Sequence, residues 1–265
     1  MTSRERPTTR ASFLQGYCEL VRELGADPDS LAPTPGFDMR RLGDPSLVLD
    51  YLTYSHLLDA AARATSCPHF GLLLGERHDL SIVGPLGLLA KHCATVGAAM
   101  STLSRYHSIH SQGAVYRLHR NGAVAFFVRE SNLPALAHKT QLQDISLCEI
   151  AQLLRELCGS AWRPAAIYFT HGEPAHPDVY RRIFGCTVYF SQDVQAITMP
   201  ASNLDRPLAL ADPATRQFLE TQLSVQAIGK TRPLSDKVRD AIKDQMATGT
   251  CTVEAVAEQL SLHSR

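Results

Sequence analysis

The chain has 265 residues, of which 45% are hydrophobic, and this is enough for one large domain or two ordinary ones with a real core. Its 26 basic and 26 acidic residues give a formal net charge of zero, which argues against nucleic-acid binding through overall positive charge. No run is long and apolar enough to span a bilayer, and the polar start lacks the core of a signal peptide. We therefore expect a cytoplasmic protein with reduced cysteines and a disordered start at residues 1–10.

The first half of the chain has mainly helical patterns. An amphipathic helix is predicted from Ala11 to Gly25, and a longer one from about Ser46 to Thr65. A loop rich in proline and glycine separates them. Two further helices are predicted at 85–92 and at 96 to about 108, where Pro85 suits a first helical turn.

The second half adds strands. Alternating residues on both sides of Asn121-Gly122 predict a β-hairpin with strands at 114–119 and 123–130. A long helix is predicted from Lys139 to Cys158. The remaining predicted elements are a strand at 165–170, a helix at 177–184, strands at 186–190 and 195–199, and a helix at 213–227. The order predicts an α+β fold, a helix-rich domain with a small antiparallel or mixed sheet, followed by an all-α segment.

The final segment, 234–265, has the pattern of a helix-turn-helix unit. A helix with an apolar face ends at Gly249, and Thr252 then offers an N-cap hydroxyl to a second short helix. Ala257 is small enough for two helices to cross closely there, and a tight turn follows at 260–262. A third helix is predicted to begin near the end of the segment.

Six residues of this segment match a known pattern: Thr252, Val256, Ala257, Leu260, Leu262 and Arg265. By these residues the segment resembles the opening of the DNA-binding domain of AraC/XylS-type transcription regulators. The resemblance implies a recognition helix that begins near Ser264 and reads the major groove. It also implies DNA contacts from Thr252, His263, Ser264 and Arg265.

The segment departs from the family pattern at two positions. Ser261 stands at the usual turn glycine, which would cost about 1 kcal/mol in a left-handed conformation. His263 stands at the usual serine N-cap of the recognition helix. The family's complete recognition helix, connecting helix and second helix-turn-helix unit have no counterpart in the sequence, so we expect this chain alone to bind no DNA tightly.

Three stretches earlier in the chain carry a second resemblance: FGLLLGER (70–77), GPLGLLAKHCATVGAAMSTLSRY (84–106) and YRRIFGCTVYF (180–190). A pattern of the form L..PL follows at Leu204, Pro207 and Leu208. Through them residues 11 to about 225 resemble the N-terminal effector domain of the AraC-type branch that includes ornithine-utilisation-type regulators. This domain type is sometimes called arabinose-binding, but nothing in the sequence favours a sugar.

The two resemblances imply a ligand-responsive bacterial transcription regulator that binds promoter DNA and can form a homodimer. The implied organisation is an effector-sensing and dimerisation domain at 11–227, a linker at 228–233 and an incomplete DNA-binding domain at 234–265. One alternative is an interaction module that only dimerises. A metal-binding enzyme is the other alternative.

An effector pocket is expected near the junction of the hairpin and the preceding helix, because pockets combine apolar surface with a few polar groups. Tyrosine and arginine can bind a carboxylate while aromatic rings bury an aliphatic part, so a carboxylate effector is one possibility. Each aromatic residue could equally belong to the core. The candidate effector-binding residues are Tyr106, His107, Tyr116, Phe126 and Arg129.

Catalytic and metal sites have weaker support. His107, His110 and His119 could together bind a transition metal, but no acidic or cysteine ligand joins them at a familiar spacing. Phosphate-binding loops, dinucleotide fingerprints and nucleophile elbows are absent from the sequence, so no cofactor is expected. His171 lies in a proline-rich loop, where a role in the turn is sufficient to explain it.

Overall fold

The computed structural model describes residues 6–228, 238, 241–242, 245 and 251–259. The chain divides into two compact units, Met1–Leu223 and Ser224–Arg265. The predicted domain boundary at 227 and the linker at 228–233 stay predictions, since most of that linker lies outside the described residues. No helix in the described part of the chain has both the length and the hydrophobicity that a bilayer crossing requires.

The beginning of the chain differs from the prediction. Thr8–Arg10, expected to be disordered, form strand β1 and pair antiparallel with strand β2 at Val48–Asp50. The single helix predicted from Ala11 to Gly25 is also wrong, because a 3₁₀ turn at Ala11–Leu14 is separated from the first α-helix by Gly16. Gly16 has a φ of +78°, a left-handed conformation that interrupts helical geometry.

The helices otherwise follow the predicted order. The one predicted from about Ser46 begins later, since the Asp50 side chain accepts a hydrogen bond from the Leu52 backbone nitrogen at 2.8 Å and caps the helix there. The helices are α1 (Tyr17–Glu23), α2 (Tyr51–Ala64), α3 (Phe70–Glu76), α4 (Pro85–Lys91), α5 (Val96–Tyr106), α6 (Thr140–Cys158), α7 (Pro177–Phe184) and α8 (Pro213–Ile228).

A five-stranded mixed sheet forms the other layer of the first unit. Its strands are β3 (Ala114–Asn121), β4 (Val124–Ser131), β5 (Ala166–Tyr168), β6 (Thr187–Tyr189) and β7 (Gln195–Pro200). Their spatial order is β3-β4-β7-β5-β6, with antiparallel neighbours except for the parallel pair β5 and β6. The α+β fold predicted from the sequence is thus confirmed.

Helix α6 is the centre of the core, buried along most of its length between α3 and the sheet. Two glycines of α3 allow this helix to approach α6 closely. A Cβ atom on Gly71 would lie 2.4 Å from the Gln141 carbonyl oxygen, and one on Gly75 would lie 2.9 Å from the Cys148 Cβ. Small residues at these two positions therefore fix how closely α3 packs on α6.

In the second unit, helix α9 spans Val253–Gln259. The Thr252 hydroxyl accepts a hydrogen bond from the Ala255 backbone nitrogen at 3.1 Å, so the predicted N-cap is confirmed. The predicted turn at 260–262 and most of the preceding helix, with Gly249, lie outside the described residues, and so do His263, Ser264 and Arg265.

Candidate functional site

A narrow apolar cleft lies between α5, α6 and the β3–β4 hairpin. It encloses about 40 Å³, which is room for roughly two or three water molecules. Three polar side chains, His107, Tyr116 and Glu149, face an otherwise hydrocarbon wall. The main apolar residues of that wall are Phe13, Met100, Leu103, Phe127, Ile150, Leu153, Leu154 and Leu157. Such a composition suits a largely apolar ligand with few polar groups.

His107 lies in the short 3₁₀ turn that follows α5. Its ring is edge-on to that of Tyr116, with 4.6 Å between centroids, and edge-on to that of Phe13 at 6.1 Å. Burial, with His110 and Arg129 as nearby positive groups, lowers the pKa of His107 to about 3. The imidazole is therefore neutral near pH 7 and offers one hydrogen-bond donor and one acceptor.

Tyr116 and Arg129 are directly opposite each other in the β3–β4 register. The Tyr116 ring stacks on Phe127 at 5.6 Å, and burial raises the pKa of its hydroxyl to about 12. Arg129 is 4% exposed and donates hydrogen bonds to Gln195 Oε1 at 3.0 Å and to the Tyr51 hydroxyl at 3.3 Å. Two of its guanidinium nitrogens thus donate into the core, and Arg129 is not among the residues of the cleft wall.

Glu149 of α6 reaches the cleft wall as one half of a buried ion pair. Its Oε1 lies 2.8 Å from His78 Nδ1, and His78 Nε2 lies 2.9 Å from the Gln15 carbonyl oxygen. Because the carbonyl can only accept, Nε2 must donate, and with Glu149 as a carboxylate Nδ1 donates as well, which makes the ring an imidazolium. Burial raises the pKa of Glu149, whereas the contact with His78 favours its charged form. Burial opposes the charged ring, but the bond to Glu149 prevails and raises the pKa of His78.

A second buried pair lies one and a half turns earlier on α6. Asp144 is fully buried, with Oδ1 3.1 Å from His171 Nε2, and Oδ2 accepts the Tyr180 hydroxyl at 2.7 Å. His171 Nδ1 donates to the Gly172 carbonyl oxygen at 2.8 Å, and the bond to Asp144 raises the pKa of His171, while burial raises the pKa of Asp144. His171 is therefore a core residue that ties the loop after β5 to α6, which is more than the turn role expected from the sequence.

Two of the five candidate effector residues, His107 and Tyr116, line the cleft. Phe126 is opposite His119 in the hairpin register, on the face of the sheet away from the cleft, and its neighbour Phe127 lines the wall instead. Tyr106 is buried and its hydroxyl points to Glu220 of α8 at 3.4 Å. With Arg129 turned into the core, the structure separates these three residues from the cleft wall.

The proposed histidine metal ligands do not converge. His119 is exposed on the outer face of β3, whereas His107 is at the inner face beside Tyr116. Within the described ranges no group of three or more histidine, cysteine, aspartate or glutamate side chains is arranged to hold a metal ion.

Sequence reasoning missed three cleft features, namely Phe127, Glu149 and the partner of Glu149, His78. Phe127 could have been found by counting back from the Asn121-Gly122 turn, which places Leu118 opposite Phe127. No local signal indicates the ion pair, because its two members are 71 residues apart in the chain.

Helix α5 connects the cleft with α8. Met100 and Leu103 of α5 line the cleft, and at its end Arg105 and Tyr106 both approach Glu220 of α8. The Arg105 Nη1 atom lies 3.3 Å from Glu220 Oε1, and the Tyr106 hydroxyl lies 3.4 Å from the same oxygen. A displacement of α5 by a molecule in the cleft would therefore act directly on α8.

Comparisons with known proteins point to one family. Residues 25–208 match the family model described as the arabinose-binding domain of AraC transcription regulators, at their N-terminus. The chain is 30% identical over 262 residues to the HTH-type transcriptional regulator VirS of Mycobacterium tuberculosis, a match that covers 97% of this chain and 76% of that protein.

A second relative agrees with this, and one solved structure has a similar fold. The Ornithine utilization regulator of Pseudomonas aeruginosa is 27% identical over 214 residues, which cover 80% of this chain and 62% of the relative. The crystal structure of the transcriptional regulator CdpR from Pseudomonas aeruginosa superposes with a TM-score of 0.57 at 16% identity, over 85% of this chain and 74% of that one. At that identity the superposition supports the fold alone.

Proposed function

Because the chain belongs to the AraC family of transcription regulators, we propose that its N-terminal domain senses a small metabolite and thereby controls sequence-specific DNA binding by a helix-turn-helix. The observation that supports this most is the apolar cleft beside His107, a partly open site with a few buried polar groups inside the family's effector domain. Such a regulator acts in the cytoplasm, where bacterial promoter DNA is found. The names of the relatives support a regulator and not an enzyme.

The proposed mechanism uses the contact between α5 and α8. A ligand in the cleft displaces Met100 and Leu103 and shifts the end of α5, which carries Arg105 against Glu220. Helix α8 runs from there to Ile228, toward the segment that precedes the DNA-binding residues in the chain. The ligand acts only to the extent that it prefers one arrangement of these helices over the other.

The DNA contacts are proposed from the family pattern. Thr252 caps α9, so it is at the helix N-terminus, where a phosphate of the DNA backbone can bind. His263, Ser264 and Arg265 would begin the recognition helix and meet base edges or phosphates. Substitution of Arg265 should weaken binding to all sequences if it contacts phosphate, and relax sequence preference if it contacts a base.

Two measurements test this proposal, the first on this chain and the second on a protein that carries this chain together with a complete family DNA-binding domain, with its own promoter region. A thermal-shift screen against amino acids, fatty acids, alcohols and nucleotides identifies ligands that raise the melting temperature. Fluorescence anisotropy then measures promoter affinity with and without each one. The proposal expects at least one stabilising ligand to change the dissociation constant for DNA. A broad panel without any stabilising ligand would favour the module that only dimerises.

A second role, homodimerisation, has support from α8. Phe218 is 63% exposed and Val225 is 66% exposed, and they are seven residues apart on one side of the helix. Thr221 between them and Ala214, four residues before Phe218, continue the same side of the helix and are exposed and uncharged as well. We propose that this stripe packs against α8 of a second copy of the chain. Whether the domain only dimerises or also senses a ligand is decided by the screen above.

A further inference from the structure

We propose that the cleft takes an uncharged, slim amphiphile, a linear hydrocarbon chain with one hydroxyl or carbonyl group, and that His107 is its polar contact. This inference rests on the proposed sensing function and names the ligand class of that site. It replaces the carboxylate expected from the sequence.

The charges of the wall disfavour an anionic ligand. Neither lysine nor arginine contributes to the residues that line the cleft, and Arg129 behind it donates hydrogen bonds to Gln195 and Tyr51. The one carboxyl group in the wall is Glu149, which is negative as the partner of the His78 imidazolium. A carboxylate would lose its hydration and meet another carboxylate instead of a cation.

A cationic ligand fits no better. Glu149 is already paired with the His78 imidazolium at 2.8 Å. An ammonium ion would have to displace His78, which would leave a buried charged ring against the Gln15 carbonyl oxygen alone.

His107 supplies the hydrogen-bonding capacity that an uncharged group needs. The low pKa of about 3 keeps its imidazole neutral, with one donor and one acceptor nitrogen. Within the described residues neither ring nitrogen forms a hydrogen bond, while the ring itself is fixed against Tyr116 and Phe13. A hydroxyl group can donate to one nitrogen, and a carbonyl can accept from the other.

The shape of the cleft favours a linear chain. Only about 40 Å³ is enclosed, so a ligand must enter by turning side chains aside. Met100, Leu103 and Leu157 are the flexible side chains available, and Leu103 and Leu157 are half-buried. Rotation of such side chains makes room for a single alkyl chain, whereas a wide ring system would need movement of α5 or α6.

The test is isothermal titration calorimetry of the full chain at pH 7.5 with 1-octanol, octanoate and octylamine. We expect octanol to bind, and the two charged ligands to bind at least about tenfold more weakly. Along butanol, hexanol and octanol, affinity should rise about fourfold for each methylene that is buried. Tighter binding of octanoate or octylamine than of octanol would overturn the proposal, and so would no binding by any of the alcohols.

Variants locate the binding. Leu153→Trp places a large side chain inside the cleft and fills it. Leu103→Trp narrows the cleft at a half-buried residue of its wall, where a larger side chain disturbs the core less, so that at least this variant should remain folded. Leu88→Trp makes the same change at a residue that is 47% exposed outside the cleft. Octanol binding should be lost in the first two and kept in Leu88→Trp. Equal binding by all three would place the ligand elsewhere.

Substitutions of His107 test its role. His107→Phe keeps an aromatic ring but removes both nitrogens, and it should weaken the binding of octanol about tenfold. His107→Gln restores a donor and an acceptor and should recover part of the loss. If both variants bind octanol as the wild type does, His107 is not the contact.

The two proposals can fail separately. If octanol binds in the cleft but leaves promoter affinity unchanged, the proposed ligand class is supported and the proposal that the ligand controls DNA binding is wrong. If some metabolite changes promoter affinity equally in the wild type and in Leu153→Trp, ligand control stands and this site is wrong.

Discussion

The ring of His107 meets the ring of Tyr116 edge-on, with 4.6 Å between their centroids and 83° between their planes. This contact joins the turn after α5 to strand β3, and so links two sides of the cleft at its polar end. A ligand that hydrogen-bonds His107 therefore contacts the residue through which the helix and the hairpin pack against each other.

The contact between Arg105 and Glu220 should couple the cleft to α8. Glu220→Gln keeps the size of the side chain and removes its charge, so ligand binding should be unchanged while the ligand's effect on promoter affinity becomes smaller. The pair is partly exposed, so the loss of stability should stay below about 1 kcal/mol. Calorimetry and DNA anisotropy measure the two effects.

Glu19→Gln is the matched control for that prediction, since Glu19 is exposed and far from α8 in the chain. It should leave both ligand binding and the response of DNA affinity intact. A Glu220→Gln variant with a full response would show that the signal takes another route.

The buried His78–Glu149 pair should make stability depend on pH. The pKa of His78 is raised in the folded protein by Glu149. The stabilisation is therefore complete below the ordinary histidine pKa of about 6.5 and is lost as pH rises through the higher folded value. Calorimetric melting from pH 5.5 to 8.5 compares the wild type with the double variant His78→Gln/Glu149→Gln. The wild type should be the more stable protein at low pH, and this difference in stability should shrink as pH rises.

The single variant His78→Gln completes this comparison. It leaves Glu149 buried without a cation, which should destabilise the fold by about 3–5 kcal/mol near neutral pH. The double variant should recover most of that loss, because two amides can pair without charge. Identical stability of the single and the double variant would contradict the ion-pair assignment.

The close packing of α3 on α6 should not tolerate a methyl group at Gly71. A Cβ atom there would lie 2.4 Å from the Gln141 carbonyl oxygen, so Gly71→Ala should destabilise the domain by about 2–3 kcal/mol. Gly43→Ala is the control, because nothing lies within 4 Å of its added Cβ. Denaturant unfolding of both variants measures the difference, and equal free energies of unfolding would refute the packing argument.

The exposed stripe of α8 should control the oligomeric state. Phe218→Glu places a charge at the centre of the proposed helix–helix contact and should convert a dimer to a monomer in light scattering after size exclusion. Leu210→Glu alters an equally apolar residue, 58% exposed, outside the stripe and should leave the mass unchanged. A Phe218→Glu dimer would mean that another surface forms the contact.

The sequence predicted the elements whose pattern is local. The apolar repeat of α6 and the alternation around Asn121-Gly122 are contained in single stretches, and both elements were placed to within one or two residues. Strands β1 and β2 were missed, because each has three residues and is defined only by pairing across some forty residues of chain. The break at Gly16 was missed for a similar reason, since an isolated glycine is tolerated in many helices.

The lining of the candidate cleft was predicted only in part. His107 and Tyr116, which line it, were proposed because they are near each other around the start of the hairpin. The assignment of Phe126 to the cleft ignored the alternation of β4, which turns Phe126 outward and Phe127 inward. A carboxylate ligand was expected because Arg129 was counted among the site residues. The charge of the wall depends instead on His78 and Glu149, which are brought together only by the packing of α6.

The most direct test of ligand-controlled DNA binding is a promoter titration by fluorescence anisotropy, with the wild type and Leu153→Trp, in the presence and absence of a stabilising ligand. The account predicts that the ligand changes the dissociation constant for DNA in the wild type and has no effect in the cleft-filled variant. The same ligand-induced change in both proteins would contradict it.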